Sequence, residues 1–210
     1  MEINKENNAV RLCGVMAGAP ACSHSSRGQT FYGFPLEVRR LSGAADTLNI
    51  LARQEQLASV EAAAEGEKLL VTGQLRSFNN RRGEGARLVL TVLAREILLC
   101  SGPDENQVSL RGTLCKAPNL RTTPMGRDIC DLMLAVNRSY GRSDYLPCIC
   151  WGTLARQASA WTVGTRIALQ GRFQSRRYVK LTGEGPVERV AFEVSAAEAE
   201  ELESLKTGAF

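Results

Sequence analysis

Apolar and polar residues alternate with a period of two along short segments of the second half of the chain. Val108, Leu110 and Leu114 share one parity, and the alternation recurs over 132–136, 146–150, 167–173 and 190–194. This is the period of a half-buried β-strand, so the pattern predicts five short strands. The segment 152–163, between the third and fourth strands, has a helical composition. It ends at Gly164, a residue type that tolerates positive φ after a helix.

The first half of the chain repeats this pattern at an offset of 98 residues. Residues 8–77 align with 106–175 without a gap, and identities recur far more often than the roughly 5 that background usage would give. Residues 88–96 align with 190–198 after an insertion of four residues in the second copy. The counterpart of the predicted helix, 54–65, is rich in Ala and Glu. The chain is therefore a tandem duplication of one folding unit.

Three strands, a helix and two strands follow one another in each copy. This is the order of the OB fold, a small five-stranded Greek-key barrel. We therefore expect an all-β fold with short helices, built from two tandem OB-fold barrels. The first domain is predicted over 1–100 and the second over 105–210, with the turn-rich segment 101–105 joining them. The Glu-rich segment 198–206 is predicted to form a short C-terminal helix.

The composition, 44% hydrophobic and 23% charged, is typical of a soluble globular protein. The N-terminus is polar and no apolar run reaches 18 residues, which excludes a secretory signal and a transmembrane helix. The seven cysteines contain no Cys-x-x-Cys pair, so we expect reduced, mostly buried thiols in a cytoplasmic protein. Cys148 and Cys150 share the core parity of a strand, which favours burial over a metal site.

Catalytic constellations are absent from the sequence. His24 is the single histidine, and it lies in a segment whose composition is typical of a loop. The chain has no metal-ligand cluster, no phosphate-binding Gly-Lys motif and no nucleophile elbow. We therefore expect no cofactor, no metal and no enzymatic activity.

A basic segment of the chain precedes an acidic end. The net charge is only +4, but residues 104–196 carry 13 Lys and Arg against 8 Asp and Glu, and the last 14 residues are acidic. Arginine outnumbers lysine by 21 to 5, which favours forked phosphate contacts and stacking on flat rings. The distribution gives modest support to an anionic partner.

Four groups of motifs follow one another along the second copy. They are Asn106-x-Val-x-Leu-x-Gly112-x-Leu114, Pro118-x-x-Arg121 with Pro124-x-Gly126, Trp151-Gly-x-Leu-Ala155, and Gly171-Arg-Phe-Gln-Ser-Arg-Arg-Tyr178 with Phe192-Glu-Val-Ser195. In this order and spacing the copy resembles bacterial single-stranded DNA-binding proteins, almost from end to end, and the first copy does so more weakly. The resemblance implies single-strand binding by base stacking on aromatic side chains over a basic groove.

Four aromatic residues match the stacking positions of that family: Tyr140, Tyr145, Trp151 and Tyr178. The alternation independently places Tyr145, Ile149 and Trp151 on the face of the third strand opposite its core residues. Large aromatics on a non-core face need an explanation, and guanidinium groups between them would complete a single-strand platform.

Basic residues of both copies complete the candidate interface. Alternation directs Arg172 outward from the fourth strand, with Arg176 following it. The candidate set is Arg121, Arg138, Arg172, Arg176, Arg177 and Lys180 in the second copy and Arg53, Arg76, Arg81 and Arg82 in the first.

The first copy lacks the platform. At the four aromatic positions it has Ser42, Thr47, Arg53 and Asn80. It keeps Phe31, Tyr32, Phe34 and Phe78, of which Phe34 has core parity, while Phe31 or Tyr32 is a core or interface residue. We expect the second copy to supply the stacking, and the first copy to supply structure and some charge.

Structural roles remain as alternatives for several of these side chains. They are packing under the helix or a subunit interface for Trp151, a core position for Trp161, an ordinary loop position for Tyr140, bracing of a loop for Arg121, and a solvated charge pair for Arg176 and Arg177.

Sequence-independent binding of single-stranded DNA in replication, recombination and repair is the leading hypothesis, with a nucleoid-associated location. The alternatives are a primosome-type OB assembly module that binds a protein partner, and single-stranded RNA binding. The family gathers four OB folds, so the resemblance implies a homodimer. Almost no tail follows the fifth strand, which puts in doubt the recruitment of replication or repair proteins through an acidic tail.

Overall fold

The computed structural model describes residues 6–58, 65–80, 88–183 and 185–203, which contain twelve strands and two short helices. The first copy comprises β1 (Asn8–Met16), β2 (Ala21–Ser26), β3 (Gln29–Arg39), β4 (Ala45–Arg53), α1 (Gln54–Ala58), β5 (Lys68–Asn79) and β6 (Leu88–Leu99). The second comprises β7 (Glu105–Leu114), β8 (Asn119–Thr122), β9 (Asp128–Asn137), β10 (Ser143–Trp151), α2 (Gly152–Ala158), β11 (Arg166–Thr182) and β12 (Gly185–Glu201). Neither helix is long and apolar enough to cross a membrane.

Each copy closes into an OB barrel. In the first copy the strands run in the order β3-β4-β6-β5-β1, and pairing of β1 with β3 closes the ring. Strands β4 and β6 are parallel, and the remaining pairs of the barrel are antiparallel. The second copy repeats this arrangement with β9-β10-β12-β11-β7. The prediction of an all-β fold with two tandem OB folds is confirmed.

The barrel cores follow the predicted alternation. Leu146, Cys148 and Cys150 on β10 are at most 2% exposed, and they belong to one apolar core that spans both copies. Burial raises the pKa of the Cys150 thiol to about 12 and raises that of Cys148 as well, so both thiols are protonated at neutral pH. Trp161 packs against this core, as predicted.

The structure corrects three of the predicted elements. His24 lies in β2, an edge strand whose six residues are all exposed, so no alternation could reveal it. The predicted helix over 198–206 is wrong, because β12 continues to Glu201 and pairs with β11, whose ladder supplies the backbone partners. Residues 204–206 lie outside the described chain. Helix α2 spans only part of 152–163, and α1 is described only over Gln54–Ala58.

Equivalent glycines bend the long hairpins at the same place in both copies. Gly73 on β5 and Gly171 on β11 each follow a bulge in the pairing with the next strand. A Cβ at Gly171 would overlap the backbone oxygen of Ser195, and a Cβ at Gly73 would overlap that of Leu93. Only glycine allows the two strands to approach so closely at the bend that closes the barrel.

The two copies meet through antiparallel pairing of β1 with β7. Val10 lies opposite Val108, its own counterpart at the offset of 98, so a pseudo-twofold axis passes between them. The pairing joins all twelve strands into one continuous sheet. The side-chain amide of Asn8 donates to the carbonyl of Leu75 (2.8 Å) and accepts from its N–H (2.9 Å). Asn106 does the same with Phe173 in the second copy.

Two buried carboxylates clasp the copies on either side of this axis. Asp144, on β10, accepts hydrogen bonds from the backbone N–H (2.7 Å) and hydroxyl of Ser77 on β5. Asp46, on β4, accepts from the backbone N–H (2.8 Å) and hydroxyl of Ser175 on β11. Both carboxylates are fully buried. Each clasp therefore ties a strand of one copy to a strand of the other.

The clasps differ in their arginines. Within the described part of the chain, Asp46 pairs with one arginine, Arg40 (2.6 and 2.7 Å), whereas Asp144 pairs with Arg138 and also with Arg76 of the other copy (3.0 Å). The counterpart of Arg76 at the offset of 98 is Gln174. The pseudo-symmetry of the joint is therefore broken by one charge, and Asp144 is the more heavily charged clasp.

Candidate nucleic-acid interface

The outer face of β10 presents two aromatic side chains to solvent. Tyr145 is 51% exposed and Trp151 is 38% exposed. They are six residues apart on the same side of the strand, which places them about 20 Å apart at the usual strand rise. Ile149 was expected on this face but is only 2% exposed, so it does not join the two rings into one exposed surface. The rings are thus separate platforms on one strand.

Trp151 is oriented by its position at the end of β10, directly before α2. Its indole N–H donates to the hydroxyl of Ser195 on the neighbouring β12 (3.2 Å). The hydrogen bond satisfies the polar edge of the indole. More than a third of the residue stays exposed, and a ligand can contact it there.

A groove of about 1170 Å³ opens beside Trp151. Among the described residues, five arginines from four parts of the chain line it, against two acidic residues, Asp128 and Glu198. The arginines are Arg172 and Arg176 from β11, Arg127 from the β8–β9 turn, Arg156 from α2 and Arg40 from the first copy. Arg40 is paired with Asp46 and Arg156 with Asp128, so Arg127, Arg172 and Arg176 carry the positive charge of the groove that can attract phosphates.

A buried network orients the two arginines of β11. Arg172 donates through Nε to the amide oxygen of Gln174 (3.2 Å), and the amide nitrogen of Gln174 donates to Glu193 (2.9 Å). The same carboxylate lies 3.7 Å from the Nε of Arg176 and is 7% exposed. Each guanidinium carries five N–H donors. The network therefore positions the arginines while using few of the donors that a phosphate would need.

Further along β11, Tyr178 is 37% exposed and its ring centroid lies 5.6 Å from the guanidinium carbon of Arg176. This is cation–π distance, so the charge and the ring form one surface. Arg177 is exposed beside them. Lys180 lies within β11, but its side chain falls outside the described residues.

Tyr140 and Arg121 lie away from the lining of this groove. Tyr140 is fully exposed in the β9–β10 turn, with a φ of 72° that is rare for residues other than glycine. Arg121, on β8, forms a two-pronged ion pair with Asp131 on β9 (2.6 and 3.0 Å), which raises the pKa of Arg121. This ion pair matches the bracing alternative for Arg121.

The remaining predicted basic residues do not converge on the groove. Arg138 and Arg76 donate to Asp144, so the structure gives them a partner in the joint between the copies. Arg53, at the end of β4, pairs with Glu55 (3.1 Å). Arg81 and Arg82 fall outside the described residues.

Three arginines of the groove, Arg40, Arg127 and Arg156, were missed by sequence reasoning. Arg127 and Arg156 line the groove from a turn and a short helix, where alternation gives no signal of direction. Phe78 of the first copy lies with its ring centroid 6.0 Å from the guanidinium carbon of Arg138 in the second. Only the folded arrangement brings these side chains together.

Comparison with known proteins agrees with this geometry. The model of the single-strand binding protein family matches residues 105–202, the second copy. Single-stranded DNA-binding protein B of Bacillus subtilis (strain 168) is 36% identical over 80 residues, which cover 35% of this chain and 71% of the relative. This chain belongs to the single-strand binding protein family. Single-stranded DNA-binding protein 2 of Listeria innocua is 35% identical over 80 residues, and the chain spans half of its length.

The fold comparison extends to both copies. The wild-type single-stranded DNA-binding protein from Thermus aquaticus superposes with a TM-score of 0.79 at 23% sequence identity. The match covers 97% of this chain and 96% of the other. The tandem OB arrangement is therefore shared over nearly the whole of both chains, although the family model matches only the second copy.

Proposed function

We propose that this chain binds single-stranded DNA without base-sequence preference, mainly through its second copy. Bases stack on Tyr145, Trp151 and Tyr178, while the arginines of the groove contact phosphates. The observation that carries the proposal is the exposed Trp151 at the wall of an arginine-lined groove, in a chain of this family. Stacking on aromatic faces tolerates any base, since every base has a π-face.

The charge of the groove supports a backbone ligand over a specific base sequence. Arg172 and Arg176 are held by Gln174 and Glu193, so their guanidinium groups are positioned before a ligand arrives. Forked guanidinium groups suit phosphate oxygens. Each phosphate contacted on a single strand contributes about −0.7 to the slope of log affinity against log salt.

A fluorescence titration tests the proposal. The variant Trp161→Phe leaves Trp151 as the single tryptophan, and a 35-mer of deoxythymidine is added at several salt concentrations. We expect strong quenching and an affinity that falls steeply with salt. Oligonucleotides of other base composition should bind comparably after allowance for their self-structure. If the deoxythymidine 35-mer leaves the fluorescence of Trp151 unquenched at low salt, the proposal is overturned.

Two comparisons separate the copies and the ligands. Trp151→Ala should weaken binding more than Arg53→Ala, because each stacked base contributes about 1–3 kcal/mol. A larger loss for Arg53→Ala would contradict the assignment of stacking to the second copy. Tighter binding of a uridine 35-mer than of its DNA equivalent would favour RNA, and absent binding to both would favour an assembly module that contacts protein.

A homodimer with four OB folds, a role in replication, recombination or repair, and a nucleoid-associated location complete the proposal. The location and the role follow from the ligand. Native mass spectrometry tests the assembly, because a dimer has twice the 22.9 kDa mass of the chain. A single species with one chain, free or bound to one oligonucleotide, at micromolar protein concentration would contradict the dimer.

A further inference from the structure

Three side chains form a row across the outer face of the first copy. In the strand register His24 on β2 lies opposite Phe31 on β3, which lies opposite Arg53 on β4. The rings of His24 and Phe31 stack with their centroids 4.8 Å apart and their planes within 4°. His24 is exposed and Phe31 half-buried. The two stacked rings, called the ring step below, therefore present a flat aromatic surface beside the cation of Arg53.

A largely apolar cleft of about 900 Å³ adjoins this step. His24 and Phe78 both line it, and Gly33, Pro35 and Leu51 also contribute. A Cβ at Gly33 would meet nothing closer than 3.8 Å, so the space beside the ring step is open. The volume lies within the range of sites that hold organic ligands, which are mostly apolar with a few polar groups.

The row occupies the same place on its barrel as the Trp151 row does on the second. At the offset of 98 Phe31 corresponds to Ile129 and Arg53 to Trp151, and Ile129 lies opposite Trp151 in the register of β9 and β10. In the second copy the aromatic, Trp151, is on β10; in the first copy the aromatic, Phe31, is on β3, the counterpart of β9. At the position of Trp151 the first copy has Arg53, and its aromatic side chain, Phe31, lies on the neighbouring strand. The four stacking positions of the family therefore do not reveal this aromatic.

Arg53 supplies the charge that a nucleotide needs beside a stacked base. Its terminal Nη1 contacts Glu55, while its Nε is buried and has no hydrogen-bond partner among the described residues. The side chain as a whole is 41% exposed, so its outer guanidinium nitrogens can reach a phosphate oxygen. Arg53 also lines a shallow depression of about 410 Å³ with Gly28 and Thr30, next to the ring step.

We propose that His24 and Phe31 form a second base-stacking site, with Arg53 contacting an adjacent phosphate of the same single strand. The occupant is a nucleobase, because the site combines an exposed π-surface, a cation and an open apolar cleft. The equivalent row of the other barrel carries the aromatic of the DNA groove. This inference rests on the function proposed above and extends it to the first copy.

Two residues of the chain allow each copy to be observed separately. His24 is the only histidine, so its ring protons give a single identifiable set of signals in a proton NMR spectrum. Trp151 fluorescence in the Trp161→Phe background reports on the second copy. Titration with deoxythymidine 8-mer and 35-mer should shift the His24 signals, and Trp151 should be quenched in the same samples.

The variant Phe31→Ile tests the stack with the residue that the second copy carries at this place. In the free protein, loss of the ring current should move the His24 signals downfield. Affinity of the 8-mer measured at His24 should fall at least about five-fold, the change that about 1 kcal/mol of lost stacking produces. The affinity of the 8-mer measured by quenching of Trp151 should stay within two-fold of its value without the Phe31→Ile substitution. Leu41→Ala, at a fully exposed apolar position of the first copy, is the matched control and should change neither signal.

The outcomes separate the two proposals. Quenching of Trp151 with His24 signals that do not move would overturn the second site and leave the proposed function in place. Failure of both reporters would overturn both. A His24 response that is unchanged in Phe31→Ile would show that the ring pair is not where a base stacks, and would also overturn the inference.

Discussion

Replacing Asp144 with asparagine removes the charge at the centre of the more heavily charged clasp. The carboxylate is fully buried and accepts from Arg138, Arg76 and the backbone N–H of Ser77. The side chains of both arginines are less than a quarter exposed, so they would be left beside a neutral amide. Removing one partner of a buried ion pair costs about 3–5 kcal/mol. We expect the free energy of unfolding to fall by that amount in Asp144→Asn.

Two other substitutions calibrate this value. Asp46→Asn removes the symmetry-related carboxylate, which pairs with a single arginine of the described residues, so its cost should lie below that of Asp144→Asn. Asp131→Asn breaks a pair with Arg121 in which both side chains are more than a third exposed, and should cost about 1 kcal/mol or less. The expected ranking is therefore Asp144, then Asp46, then Asp131.

Urea unfolding followed by circular dichroism and tryptophan fluorescence measures the three costs. The dependence of the unfolding free energy on urea should keep its slope, because the surface exposed on unfolding is unchanged. Arg76→Gln, which installs the residue of the other clasp, should be non-additive with Asp144→Asn, since the two side chains are in contact. Equal costs for Asp144→Asn and Asp131→Asn would refute the clasp as a stabilising feature.

Three further predictions concern the barrel bend, acid stability and the groove. Gly171→Ala should lower the unfolding free energy by about 1–3 kcal/mol or more in a thermal or urea melt, because the added Cβ overlaps backbone, whereas Gly102→Ala, in open space, should be near neutral. Burial raises the pKa of Asp104, but hydrogen bonds from Lys68 and a backbone N–H outweigh it and hold the pKa below its ordinary value. Its stabilising contribution should be complete above about pH 4 and lost as the pH falls through the folded-state pKa. Asp104→Asn should remove that part of the pH dependence, and unchanged acid melts would contradict it. Arg172→Gln should reduce the salt slope of DNA binding by about 0.7 if one phosphate contact is lost, and an unchanged slope would place Arg172 outside the path of the strand.

The sequence was sufficient for the duplication, the five main strands of each copy and the core positions. Alternation with period two is a local signal, and Leu146, Cys148 and Cys150 are buried as it indicates. It failed at Ile149, which is buried although alternation directs it outward, and also at β2 and at the end of β12. In β2 every residue is exposed, and at Glu201 pairing with β11 prevails over the helical preference of a Glu- and Ala-rich segment.

The candidate site was predictable only in part, for the same reason. Strand parity indicated that Tyr145 and Trp151 leave the core, and both are exposed. Parity gave no information on which basic residues meet around Trp151. Arg138 donates to Asp144 and does not line the groove, whereas Arg156, on α2, does line it.

By itself, the sequence determined the strands, the outward aromatics and the duplication. Strand alternation depends on residues a few positions apart, and the duplication is a repeat within the sequence itself. Tertiary structure alone decided the buried clasps, the convergence of five arginines on one groove, and the stacked rings of His24 and Phe31. These features join residues on different strands and different copies. Their contacts depend on strand register and on the pseudo-twofold axis, which are set only when the whole sheet has formed.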